Sequence, residues 1–122
     1  MNNTPKLIVT EAVKALEDKK GLSIRVMEVG EISSLADYFV ICTGTSNTHV
    51  KTLCDAVDEA VGKLGEPMLH REGHRSGTWV LLDFGCVVVH VFTDETRKFY
   101  DLERLWGDSK PVDIDSLLHG KM

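Results

Sequence analysis

"TWVLLDFGCVVVHVF", residues 78–92, decides the fold. Two apolar runs flank Gly85, so the stretch reads as two β-strands joined by a tight turn, yet apolar side chains fall on both faces of each strand. The two-residue period sends Trp79, Leu81 and Asp83 to one face of the first strand and Thr78, Val80 and Leu82 to the other. In the second strand Val87, Val89 and Val91 oppose Cys86, Val88, His90 and Phe92. A strand with one wet face would alternate apolar with polar, so either both faces are covered or one is left as an apolar patch.

The flanking sequence supplies the covering elements. "TPKLIVTEAVKALEDKKG" (4–21) offers Thr4 as N-cap, Pro5 at the first helical position, and Ile8, Val9, Ala12, Val13 and Leu16 as one apolar stripe, with Gly21 as a left-handed stop. "LSIRVMEVG" (22–30) alternates at Leu22, Ile24 and Val26 apart from Met27, a strand with one wet face; "DYFVICTG" (37–44) is apolar on both sides, an interior strand. The residues between them are turn-like. A second helix starts behind Thr45 or Ser46, carries Val50, Leu53, Cys54, Val57, Val61 and Leu64 at helical spacing, and stops at Gly65. "PMLHREG" (67–73) reads as a short edge strand followed by the loop "HRSG". "TDETRKFYDLERLWGD" (93–108) reads as a third helix with Thr93 as N-cap and Phe99, Leu102 and Trp106 on one side. The expected fold is a single α/β domain over residues 1–108, a mixed five-stranded sheet with packed helices, followed by a polar, proline-interrupted tail, 109–122.

Composition narrows the function. A chain of 122 residues fits one domain with a modest core, and its net charge of −5 argues against wrapping a nucleic-acid backbone directly. Cys42, Cys54 and Cys86 are an odd number with no CxxC pair, the usage of buried free thiols in a reducing compartment. With no leader-like N-terminus and no apolar run long enough to span a bilayer, the chain is expected in the cytoplasm, away from membranes.

Candidate chemistry is sparse. His70 and His74 stand four apart, but an extended strand separates such positions by about 13 Å, too far to share a metal, so exposed loop histidines are the simpler reading. A cysteine hydrolase built from Cys42 with His90 or His49 would place its thiol inside an apolar strand, where it is inert. "GTSNTH" (44–49) opens a helix where phosphate could bind, but it lacks the lysine and glycine spacing of a phosphate loop, and capping alone explains Thr45, Ser46 and Asn47. Asp37 and Asp83 could converge from strand ends on magnesium, as a small nucleotidyltransferase-like enzyme would need. No DxD pair follows the Gly-Thr-Ser turn, however, and Asp113 and Asp115 sit beyond a proline. No metal or cofactor is expected.

What remains is the face that carries Trp79 and Leu81 beside Asp83. It has the composition of a protein-binding anchor with a polar rim, and it could equally lie beneath the third helix; periodicity leaves both readings open.

"ADYFVICTGTSNTHV" (36–50), "WVLLDFGCVVVHVF" (79–92) and "RKFYDLERLW" (97–106), in that order and spacing, resemble the ribosomal silencing factor family, the Iojap-like proteins. The likeness covers residues 5 to 108. It implies an α/β domain of nucleotidyltransferase-like topology without the catalytic carboxylates. It also implies a non-enzymatic role: binding the large ribosomal subunit through ribosomal protein L14, blocking the small subunit sterically, and repressing translation in stationary phase or nutrient limitation. The family's partner surface includes the tryptophan and aspartate that match Trp79 and Asp83, with Leu81 added by the pleat. Arg97 and Tyr100 match the last motif, as partner contacts or as supports of the sheet edge. Cys86 stands at a turn position where a polar residue is expected. A homodimer that hides the Trp79 face in the free protein is compatible with all of this.

Overall fold

The computed structural model describes residues 4–30, 36–73, 78–100 and 110–112, and of residues 98–100 and 110–111 the backbone alone. The turn expected at 31–35, the loop at 74–77, Leu102 and Trp106, and the tail after Val112 lie outside the described residues. Helix α1 (Pro5–Asp18) begins as its sequence dictates: Thr4 Oγ1 accepts the Leu7 amide at 3.1 Å, and Pro5 occupies the first turn. Strands β1 (Leu22–Glu28) and β2 (Tyr38–Gly44) follow, then helix α2 (Asn47–Gly62), strands β3 (His70–Glu72), β4 (Trp79–Asp83) and β5 (Val87–Thr93), helix α3 (Asp94–Tyr100), and a two-residue strand β6 (Lys110–Pro111).

The five expected strands form one mixed sheet, in the order β3-β4-β5-β2-β1 with β6 added beyond β1. Among the described residues only β2 and β5 run parallel; the other pairings are antiparallel. Their parallel pairing requires a long crossover, which α2 begins. The β4–β5 hairpin closes over two residues, Gly85 and Cys86, with the Phe84 amide donating to the Val87 carbonyl at 2.9 Å. Gly85 stands at φ +90° as the first of the two, the position a type II′ turn reserves for glycine. Cys86 therefore departs from the polar residue expected there at little conformational cost. Its carbonyl accepts the amides of Asp37 (2.7 Å) and Tyr38 (3.1 Å), tying the turn to the start of β2.

Helices α1 and α2 cover one face of the sheet. Their stripes (Ile8, Val9, Ala12, Val13 and Leu16; Val50, Leu53, Cys54, Val57 and Val61) pack with Val26, Val40, Cys42, Val80, Leu82, Val87, Val89 and Val91 in one buried cluster. The second face holds a smaller cluster, Met27, Val29, Ala36, Phe39, Ile41 and Phe92, with Trp79 and Val88 packed against it. Both faces of the interior strands are thus core. The same reason corrects the reading of β1: Met27 interrupts its alternation because the second face is also buried there, and Met27 is only 6% exposed.

The end of α1 departs from expectation. The left-handed residue is Lys20, at φ 64°, and not Gly21. The Gly21 amide donates to the Leu16 carbonyl (2.8 Å) and the Lys20 amide to that of Glu17 (3.0 Å), the two bonds of a Schellman cap. Gly21 is required for a different reason: a Cβ there would lie 2.5 Å from Cys42 Sγ. Because a side chain at the left-handed position costs roughly 1 kcal/mol or more, Lys20→Gly is expected to raise unfolding stability by about 1 kcal/mol. Urea titration monitored by circular dichroism checks this; an unchanged or lower midpoint would contradict it.

Candidate functional site

Strand register builds the second face in rows. His70, Asp83, Val88, Phe39 and Met27 form one; Glu72, Leu81, His90, Ile41 and Arg25 the next; Trp79, Phe92 and Thr43 the third. The rows are buried at the centre of the sheet, where Ile41 and Phe92 are fully covered, and open toward the β3–β4 edge, where Trp79, Leu81 and Asp83 are each half-buried. The three residues that the pleat grouped do share one face, at the edge where the core gives way to solvent.

Trp79 packs against the second-face core and is itself half-buried; the side chains expected to cover it from the third helix, Phe99, Leu102 and Trp106, lie outside the described residues. One side of the Trp79 ring packs on Phe92, with centroids 5.6 Å apart, and its Nε1–H donates to His90 Nδ1 at 3.3 Å. The rest of it lines an open cavity of about 270 Å³ with Leu81, Glu72 and Gly73. Gly73 has φ +80°, and a Cβ there would sit 2.0 Å from the Trp79 carbonyl, so only glycine lets the end of β3 close against β4. Asp83 Oδ1 accepts the Gly85 amide at 2.8 Å, bracing the hairpin turn. Glu72 stands exposed on the rim, paired with His70 Nε2. Arg71, between them on β3, reaches back to Asp55 on α2 at 3.1 Å and holds the edge strand to the helix layer.

The catalytic readings name Cys42, His90, Ser46 and His49. Cys42 lies on the helix-covered face and His90 on the opposite one, so the sheet itself separates them. Burial pushes the Cys42 and Cys54 thiols up to about 12, and also raises that of half-buried Cys86, so none is a poised thiolate. Ser46 is the N-cap of α2, its Oγ accepting the His49 amide at 3.1 Å; His49 Nδ1 accepts the Thr45 amide at 2.8 Å. His49 Nε2 is then the donor to the Lys19 carbonyl at 2.9 Å, so the imidazole staples the start of α2 to the end of α1. His74 lies outside the described residues; among those described, no three His, Cys, Asp or Glu side chains gather as a metal would require.

Arg97 is a support of the fold. Its Nη1 donates to the Ser23 carbonyl (2.7 Å) and to Thr43 Oγ1 (2.8 Å), fastening α3 across β1 and β2. Ser23 itself is left-handed, at φ 48°, where the β1–β2 register shifts. The side chain of Tyr100 lies outside the described residues. Sequence reasoning missed the roles of His90, His49 and Gly73. Only Gly73, a glycine ending a strand, carried a readable local signal.

Comparison with known proteins places this arrangement. The family model described as "Ribosomal silencing factor during starvation" matches residues 2–121. The chain is 43% identical over 100 residues to a ribosomal silencing factor of Chromobacterium violaceum, covering 82% of each, and 38% identical over 110 residues to that of Bacillus subtilis, covering 90% of this chain and 93% of the other. A crystal structure of a Chromobacterium violaceum protein superimposes with a TM-score of 0.84 at 40% identity, over 86% of this chain and 88% of that one.

The buried His90 has a measurable consequence. Burial lowers its pKa from 6.5 to about 4. Below pH 6.5 the unfolded chain takes up a proton that the folded one refuses, so the contribution is whole above that pH and declines as pH falls toward 4. Its full size is up to about 3 kcal/mol, at 1.36 kcal/mol per pH unit. Wild type is expected to lose stability relative to His90→Asn by that order between pH 6.5 and 4, read by denaturant titration at stepped pH; parallel pH profiles would contradict it.

Proposed function

The chain belongs to the ribosomal silencing factor family, and from that premise we propose that it binds the large ribosomal subunit through ribosomal protein L14. Bound there, it blocks docking of the small subunit and represses translation in stationary phase or nutrient limitation. The observation that carries the reading is the half-buried Trp79–Leu81 pair, opening on a cavity at the sheet edge with Asp83 and Glu72 around it. Half-burial is what a docking anchor needs: the ring is held by its own core and still has surface to lose to a partner. Trp79, Leu81 and Asp83 are the proposed contact residues.

The mechanism is occupancy. Subunit joining rests on many weak contacts over a large area, so a small protein bound at one of them prevents it wherever its affinity competes. A net charge of −5 draws the factor toward a basic ribosomal protein and away from bare RNA, so no direct nucleic-acid contact is required. The role proposed is non-enzymatic and cytoplasmic. The topology proposed is nucleotidyltransferase-like, its catalytic carboxylates absent. Support for the first comes from Asp83, which spends one oxygen on the Gly85 amide, and from Ser46, which caps α2. Among the described residues no helix is long and apolar enough to cross a membrane.

Truncating a central aromatic anchor typically costs about 2 kcal/mol or more, about thirtyfold in affinity. Trp79→Ala is therefore expected to co-sediment with purified large subunits about thirtyfold more weakly than wild type, with Asp83→Ala weaker by a smaller factor. Wild-type binding by a folded double variant would overturn the site. Sedimentation of the free protein alongside shows whether a homodimer through this face competes with the subunit.

A further inference from the structure

We infer that His90 is the positioning residue for the Trp79 indole, fixing the orientation in which the ring meets a partner; this rests on the reading of Trp79 as a docking anchor. In the β4–β5 register His90 pairs with Leu81 and Phe92 with Trp79, so the imidazole is the diagonal neighbour of the indole, within reach of so large a side chain. The indole Nε1–H donates to His90 Nδ1 at 3.3 Å. The imidazole is held in turn: Phe39 meets it edge-on, with centroids 5.2 Å apart at 66°, and Phe92 lies nearly parallel to it at 6.3 Å and 17°. Two phenyl rings therefore orient the acceptor, and the acceptor orients the indole.

The hydrogen bond also sets the tautomer. With Nδ1 accepting, the proton resides on Nε2, and Nε2 is buried with no hydrogen-bond partner. His90 as a whole is 6% exposed, between Ile41 and Leu81 in its row. An unpaired buried donor is a standing cost that leucine would avoid at the same place. What imidazole supplies there and leucine cannot is the acceptor for the indole. Burial keeps the ring neutral, so that acceptor persists at any pH near neutrality. Fixing a half-buried tryptophan before docking removes the entropy the partner would otherwise spend on immobilising it, which is preorganisation of the anchor.

The test uses the full chain and purified large ribosomal subunits, with His90→Leu, His90→Asn and Trp79→Ala. The Trp79 indole N–H resonance is assigned with Trp106→Phe, and its solvent exchange is measured. His90→Leu is expected to be at least as stable as wild type to denaturant, to exchange its Trp79 indole proton faster, and to bind large subunits about fivefold more weakly, equivalent to about 1 kcal/mol for one hydrogen bond. His90→Asn, whose Oδ1 takes the place of Nδ1, is expected to restore slow exchange and binding. Indole exchange unchanged in His90→Leu would overturn the inference, as would full binding by His90→Leu where Trp79→Ala binds weakly. Wild-type binding by Trp79→Ala identifies the failure of the docking reading itself, separately from the exchange result.

Discussion

The parallel pairing of β2 with β5 is the constraint on which the rest of the structure depends. Both strands are apolar on both faces, so the sheet cannot leave either side to water, and a chain of 122 residues has little helix with which to cover two faces. Helices α1 and α2 go to one side, where they bury Val40, Cys42, Val87, Val89 and Val91. On the other side the strands contribute their largest rings, Phe39, Phe92 and Trp79, and these cover much of that face themselves. Covering is complete at Ile41 and Phe92 in the centre of the sheet and fails at the β3–β4 edge. The candidate surface is the place where one small core runs out.

That origin explains the chemistry of the edge. A ring packed on the core on one side and open on the other has fewer orientations to lose on docking than a tryptophan carried on a loop. The supports are all short and specific: Gly73 closes β3 onto the Trp79 carbonyl, Asp83 braces the Gly85 turn, and Arg71 ties the edge strand to α2. His49 and Cys42, which the sequence offers for a cysteine hydrolase, have structural roles. His49 joins two helix ends, and Cys42 and Cys54 fill the layer beneath α1 and α2.

Much of this was legible because it follows from periodicity. The stripes of α1 and α2, the Thr4 and Pro5 start, the Gly85 hairpin and the grouping of Trp79, Leu81 and Asp83 on one face are local consequences of the 3.6- and 2-residue repeats. What the sequence did not disclose depends on distance or on a choice between equals. Arg97 binds partners 74 and 54 residues away, and His90 and Trp79 meet only after the hairpin register is set. Lys20 took the left-handed cap because Gly21 was needed one residue later, where Cys42 leaves no room for a Cβ. Pleat arithmetic leaves core and surface even for the Trp79 face; its reading as an interface is what the family resemblance implies and stands as the proposal, while the match over residues 2–121 shows the family itself.

The central claim is that the β3–β4 edge, and not the helix layer, meets the ribosome. Hydrogen–deuterium exchange of the protein with and without purified large subunits tests it most directly. Slowed exchange over residues 70–83, with that of α1 and α2 unchanged, is the predicted result. Slowing confined to α1 and α2, with the β3–β4 edge unaffected, would contradict it.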